Sequence, residues 1–174
     1  MLVGLMGAGK TTAGRLVAHR LGLEFRDNDE ALAARTGLTA AELTARDGMA
    51  ALHDAELESL LVLLGTSEPL VIAAAASTIE ARACREALEL SAFVAWLHAD
   101  VTVLAERASR GHHRALARDV HAQLAAHAAH RCPLYRAVAD VSIDVGIHDP
   151  DTAARRIIDA LRDGARTEAP RRAE

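Results

Sequence analysis

The sequence predicts an α/β fold: a three-layer α/β/α sandwich with a mainly parallel sheet. Three observations predict it. Pro69-Leu70-Val71-Ile72-Ala73, Phe93-Val94-Ala95-Trp96-Leu97 and Val141-Ser142-Ile143-Asp144-Val145 are apolar runs of strand length. The first two are continuous rather than alternating, as strands covered on both faces require, and the third is expected to be covered likewise. Stretches of helical periodicity separate them, and strands alternating with helices argue for a parallel sheet. The third is size: 174 residues, 51% apolar, make one domain able to bury about 70% of its unfolded surface.

Taken in order, Met1 to Gly7 reads as a short apolar strand running into a glycine turn. After Lys10 the spacing of Ala13, Leu16, Val17, His19 and Leu21 is helical, and Gly22 is placed to end that helix. Leu23-Glu24-Phe25 reads as a second strand, terminated by Asp27-Asn28-Asp29. A helical block from Glu30 to about Gly65 is broken at Gly37 and near Gly48. Within it Thr39 and Glu42 form a capping box, so a helix starts at Thr39. Ala55, Leu57, Leu60, Leu61, Leu63 and Leu64 predict a broad buried stripe on it. Further helices are predicted at about Glu80–Leu90, Thr102–Arg110, Leu116–Ala139 and Pro150–Leu161, the last with Asp149 as N-cap. The domain is expected over 1–163, with 164–174 an aperiodic, disordered tail.

Composition excludes several classes. Net charge is −4, so the chain is no general nucleic-acid binder. No apolar run approaches the roughly 20 residues that span a bilayer. Signal-peptide features are missing at the N-terminus, and Cys84 and Cys132 are too few for a disulfide framework. The expectation is a cytoplasmic globular domain without membrane or nucleic-acid partners. Alanine occurs 39 times, and of 20 basic residues 19 are Arg; the exception is Lys10.

Lys10 lies in the one motif that names a chemistry. Gly4-Leu5-Met6-Gly7-Ala8-Gly9-Lys10-Thr11 matches G-x-x-x-x-G-K-[ST], between a predicted strand and a predicted helix. Glycines let the backbone curl so that successive N–H groups face phosphate oxygens, and the helix N-terminus adds positive potential. Lys10 reaches the β- and γ-phosphates and the Thr11 hydroxyl ligates Mg²⁺. Gly7, Ala8, Gly9, Lys10, Thr11 and Thr12 are thus the expected nucleotide site; switch GTPases, motor ATPases and small-molecule kinases all share this loop, so it leaves the reaction open. Asp27-Asn28-Asp29 admits two readings: a turn with a helix cap, or a carboxylate pair delivered to the phosphates by the second strand.

Over most of its length, from Gly4 to about Leu161, the chain resembles the shikimate kinase family. The resemblance rests on Gly4 to Thr12, Leu21-Gly-Leu-Glu-Phe-Arg-Asp-Asn-Asp29, Arg35-Thr-Gly-Leu-Thr-Ala-Ala-Glu-Leu43 and Asp47-Gly48. It continues in Trp96-Leu-His-Ala99, Arg107, Arg114-Ala-Leu116, Arg131-Cys-Pro-Leu-Tyr135 and Ala139-Asp140. It implies a P-loop nucleoside-triphosphate hydrolase type fold and an ATP-dependent kinase of aromatic amino acid biosynthesis, working as a monomer. Asp27 would help hold Mg²⁺ beside Thr11. Asp29 would orient or deprotonate the acceptor hydroxyl, which suits a reaction governed by positioning and charge. Arg107 would lie beside the adenine and Arg114 on a lid at about 109–118, closing over the phosphates. Arg131 would pair with the acceptor's carboxylate; on spacing alone it reads as a surface Arg on a long helix.

Three departures from the family pattern all touch the acceptor side. A second carboxylate-binding Arg is replaced by His53, and a neutral imidazole is no bidentate guanidinium. Glu56, which buttresses that Arg in the family, is placed to hold His53 instead. A glycine triad is replaced by Ala75-Ala76-Ser77, whose Cβ atoms would crowd the pocket around Ala76. The lid reads Arg114-Ala115-Leu116 where the family has Pro after Arg. The expected acceptor set is therefore Asp29, His53, Glu56, Ala76 and Arg131, for shikimate or a related cyclitol or hydroxy acid. The alternatives are a gluconate-type sugar-acid kinase and a non-catalytic nucleotide-binding relative. His112, His113, His121, His127 and His130 match no ligand spacing, and His127 and His130 at i,i+3 read equally as a polar helix face. The C-terminal arginines are interleaved with acids, as on a solvated surface.

Overall fold

The structure, a computed structural model, describes residues 1–110 and 120–166. Its elements run β1 (Leu2–Val3), α1 (Lys10–Leu21), β2 (Glu24–Asp27), α2 (Asn28–Thr36), α3 (Ala40–Leu64), β3 (Leu70–Ala73), a 3-10 turn (Thr78–Glu80), α4 (Arg82–Ser91), β4 (Ala95–His98), α5 (Val101–Arg110), α6 (Val120–Val138), β5 (Val141–Asp144) and α7 (Pro150–Arg166). The five strands form one sheet in the order β2-β3-β1-β4-β5, and every neighbouring pair is parallel. Helices flank it: α1 packs on α7, while α3 packs on α4, α4 on α6 and α6 on α5.

The central strands are the dry ones. Leu2 and Val3 of β1 and Ala95 and Leu97 of β4 are buried, as a strand between two helical layers must be. At the edges the expectation of two-sided burial gives way. Along β2 exposed and half-buried residues alternate, and Ile143 is the buried residue of β5, because an edge strand has a neighbour on one side only. One close approach needs a glycine. A Cβ on Gly14 of α1 would stand 2.6 Å from the Phe25 ring, so α1 lies directly on β2.

Local signals set the helix ends. Gly22 (φ 66°) and Gly37 (φ 74°) close α1 and α2 in the left-handed region. The Thr39–Glu42 capping box is present in both directions, Thr39 N donating to Glu42 Oε2 at 2.8 Å. Gly48 (φ 88°, ψ 174°) kinks α3 without ending it. The apolar stripe of α3 is narrower than the pattern implied: Leu60 is fully buried, Leu57, Leu61, Leu63 and Leu64 are half-buried, and Leu52, Glu56 and Ser59 share the inner face. A second small core of Leu32, Leu43 and Leu52 ties α2 to α3. Glu80 belongs to the 3-10 turn rather than to α4. The last helix, α7, runs past Leu161 to Arg166, into the stretch expected to be tail. Of the expected lid, Ser109 and Arg110 end α5, and 111–118 lie outside the described residues.

Parallel strands all finish at one edge of the sheet. Gly4, Asp27, Ala74 and Val145 follow or close β1, β2, β3 and β5 there, around the point where the strand order reverses across β1. In open α/β sheets that is where ligands bind. Among the described residues no helix is long and apolar enough to cross a membrane.

Candidate active site

A cleft of about 850 Å³ opens at this edge. Its floor is the loop from Gly4 to Gly9. Gly4 (φ 145°) and Gly7 (φ 81°) have no room for a side chain, because a Cβ would meet Leu97 O at 2.3 Å and Leu104 O at 2.4 Å. Glycine therefore serves both the torsion and the close passage of backbone. Gly9, also left-handed, precedes α1 with no side-chain cap, so the first N–H groups of α1 face the cleft unclaimed by a cap.

Lys10 folds back over the loop, its Nζ donating to Gly4 O at 2.9 Å and Leu5 O at 3.2 Å. Desolvation lowers its ammonium pKa, opposed by the charges of Asp29 and Asp27. The Thr11 hydroxyl donates to Asp27 Oδ2 at 2.8 Å, while Asp27 Oδ1 accepts from Asp29 N at 3.0 Å. The helix-cap reading of Asp27-Asn28-Asp29 is observed, and the same carboxylate meets the Thr11 hydroxyl beside the phosphate loop. Asp27 is the N-cap of α2 and also stands against the phosphate loop. Thr11 and Asp27 offer a hydroxyl and a carboxylate, the hard oxygen donors a divalent cation such as Mg²⁺ accepts.

Of the residues expected from sequence, Gly7, Ala8, Gly9, Lys10, Thr11, Thr12, Asp27, Asp29, Glu56, Ala76 and Arg107 line this one cleft. Arg107 is tied by Nη2 to Val145 O at 2.8 Å, which joins α5 to the end of β5. Val145, His148 and Asp149 complete that wall; the Asp149 carboxylate is taken up in capping α7, accepting from Thr152 N at 2.8 Å. Arg114 lies outside the described residues, as do His112 and His113.

The acceptor side differs from expectation in two respects. Glu56 does not hold His53. Its Oε2 accepts a hydrogen bond from the Ser77 hydroxyl, and His53 acts on it only through charge. Burial raises the Glu56 pKa, with the Ser77 hydrogen bond opposing and Asp29 adding to the rise. Ser77, at φ −76°, therefore has a use that a glycine could not supply. Arg131 is not a surface residue of a long helix. It is 7% exposed, and its Nε donates to Glu80 Oε1 at 2.6 Å. Arg131 and His53 are not among the residues that line the cleft, but both act electrostatically on Glu56, and Arg131 also acts on Lys10.

One turn along α6, the buried Tyr135 hydroxyl donates to Ala76 O at 2.8 Å and fixes the segment that replaces the glycine triad. Tyr135 also stacks on Trp96 of β4 at 6.2 Å, with Arg136 over the outer ring face at 5.5 Å. Sequence reasoning missed Glu80 and the Ser77–Glu56 link. Neither has a motif, since each joins residues far apart in the chain.

Comparison with known proteins agrees with this geometry. A family model described as shikimate kinase matches residues 6–162. The shikimate kinase of Methylococcus capsulatus is 37% identical over 161 residues, 91% of this chain and 89% of that protein. That of Halorhodospira halophila is 37% identical over 163 residues, covering 92% of each. Among solved structures, the shikimate kinase from Acinetobacter baumannii in complex with shikimate superposes with a TM-score of 0.88 at 31% identity, covering 94% of this chain and 92% of that one.

Proposed function

The chain belongs to the shikimate kinase family, and from that membership we propose that it transfers the γ-phosphoryl group of ATP to a hydroxyl of shikimate. It is an ATP-dependent kinase, and the family implies ATP with a divalent metal; Mg²⁺ is the cation proposed here, and a monomer in the cytoplasm the working form. One observation carries the reading. The phosphate loop, the Thr11–Asp27 pair and Asp29 share a single cleft with the acceptor-side residues Glu56 and Ala76. Nucleotide and acceptor groups are thus within one reaction volume.

The roles follow from chemistry. Backbone N–H groups of the loop and of Lys10 to Thr12 cradle the phosphates, and Lys10 turns from its two carbonyls to the β- and γ-phosphate oxygens. Thr11 and Asp27 would hold the cation, which when bound neutralises charge between the β- and γ-phosphates. Asp29 accepts the acceptor O–H, orients its oxygen in line with the γ-phosphorus and takes its proton as the new P–O bond forms. The bond to the β-phosphate oxygen breaks and ADP leaves. Arg131, with His53 near it, is the cationic side of the pocket and suits the carboxylate of the acceptor. Arg107 lies at the nucleotide wall.

The test is ADP release from Mg-ATP with shikimate, run beside Lys10→Ala. Turnover with shikimate that the variant loses by at least about 10²-fold supports the reading. Absence of shikimate-dependent ADP, with another hydroxy acid or cyclitol driving release, moves the acceptor. Absence with every acceptor, while ATP still binds, overturns the kinase assignment.

A further inference from the structure

The Arg131–Glu80 pair joins α6 to the 3-10 turn that follows Ala75-Ala76-Ser77, and its geometry is asymmetric. A guanidinium offers two edges to a carboxylate: one through Nε and an Nη, the other end-on through both Nη groups. Glu80 Oε1 takes Nε at 2.6 Å, and among the described residues the guanidinium has no further hydrogen-bond partner. Neither Nη is sealed from solvent without a partner, for the buried side-chain atom in that condition among the described residues is Asn28 Oδ1. Arg131 is 7% exposed, so the two Nη groups keep a narrow contact with solvent on a nearly buried side chain. Those groups are the end-on fork.

Glu80 is well placed to set this fork. It closes the 3-10 turn that follows Ala75-Ala76-Ser77, and Tyr135, on the helix that carries Arg131, donates to Ala76 O within the same segment. Turn and helix are therefore fixed to each other on both sides of the guanidinium. Glu80 is the more exposed partner, 34% against 8% for the Arg131 side chain, so it closes the outer side of the guanidinium. With His53 in place of a second Arg, the acceptor's carboxylate depends on one fork and on its direction.

The geometry points to Glu80 as a positioning residue for acceptor binding: by holding Arg131 at Nε it presents the two Nη groups to the carboxylate of the acceptor. The inference rests on the proposed transfer to a carboxylate-bearing acceptor. A competing arrangement, in which Glu80 occupies the site and excludes that carboxylate, would need it on the Nη edge.

The test is steady-state kinetics of the full chain and of Glu80→Ala and Glu80→Gln, with shikimate and with its analogue bearing hydroxymethyl in place of the carboxylate. In Glu80→Ala the KM for shikimate rises about tenfold or more, the scale of one charge-assisted hydrogen bond, while kcat and the KM for ATP stay within about twofold. Glu80→Gln, which keeps an acceptor at Nε, recovers part of the loss. The analogue's KM does not move, and in an Arg131→Ala background Glu80→Ala has no added effect. An unchanged or lowered KM for shikimate overturns the inference, as does an equal rise for both acceptors. A wild-type chain that turns over no shikimate overturns the proposed function along with it, and that failure is recognised because it precedes any substitution.

Discussion

The Thr11 hydroxyl and the Asp27 carboxylate meet across 2.8 Å, joining the first turn of α1 to the last residue of β2. Two residues 16 apart in the chain thus present adjacent oxygens at the mouth of the phosphate loop. Replacing Asp27 with Asn keeps a side-chain acceptor for the Asp29 N–H and removes the charge. The expected outcome is a folded enzyme whose Mg²⁺ requirement for half-maximal rate rises about 10- to 100-fold, read by titrating Mg²⁺ at fixed ATP. An unchanged Mg²⁺ dependence would remove Asp27 from the cation site.

Gly7 and Gly37 are both left-handed, at φ 81° and 74°, but their surroundings differ. A Cβ at Gly7 meets Leu104 O at 2.4 Å, whereas one at Gly37 meets nothing within 4 Å. Gly37→Ala is expected to cost only the torsional penalty of about 1 kcal/mol. Gly7→Ala adds a clash with backbone and should cost about 2–4 kcal/mol, with loss of ATP binding. Urea unfolding of the two variants, beside ATP titration calorimetry, separates the contributions. Equal destabilisation would mean that the loop yields at Leu104.

Glu56 has a folded-state pKa raised by burial above its ordinary value near 4.5. A group raised in this way favours the folded state fully below its unfolded pKa and loses that contribution as pH rises through the folded value. Glu56→Gln cannot ionise and still offers an oxygen to Ser77. The stability of the variant relative to wild type should therefore increase from pH 4 to pH 8, measured by chemical denaturation at each pH. A gap that stays constant across that range contradicts the assigned shift.

Much of this architecture is legible in the sequence because its signals are local. The apolar runs at 70–73, 95–97 and 141–144 became strands, and Gly22, Gly37 and the Thr39–Glu42 box set helix ends within a residue or two. The phosphate loop was legible because its function is a backbone shape that glycines and one Lys specify in eight consecutive positions. The edge strand β5 was over-read: Ser142 and Asp144 alternate with Val141, Ile143 and Val145, and only Ile143 of the strand is buried. The acceptor side was least legible. Arg131 and Glu80 are 51 residues apart and Ser77 and Glu56 are 21 apart, so no periodicity links either pair. Only the packing of α6 against the turn after β3 turns an apparent surface Arg into a buried, oriented one.

Trp96 is the sole tryptophan of the chain, and its surroundings make it more than a filler of β4. It stacks on Tyr135, whose hydroxyl holds the Ala76 carbonyl at the cleft, and it has the Arg136 guanidinium at 5.5 Å and the His98 ring at 4.8 Å. A cation and an imidazole beside an indole quench its emission to a degree set by their spacing. If an arriving acceptor displaces the Ala76 segment, the Tyr135 contact carries that shift to the single indole, and the expected outcome is a change in tryptophan emission on titration with shikimate. Emission that stays constant while shikimate binds would mean that the segment does not move.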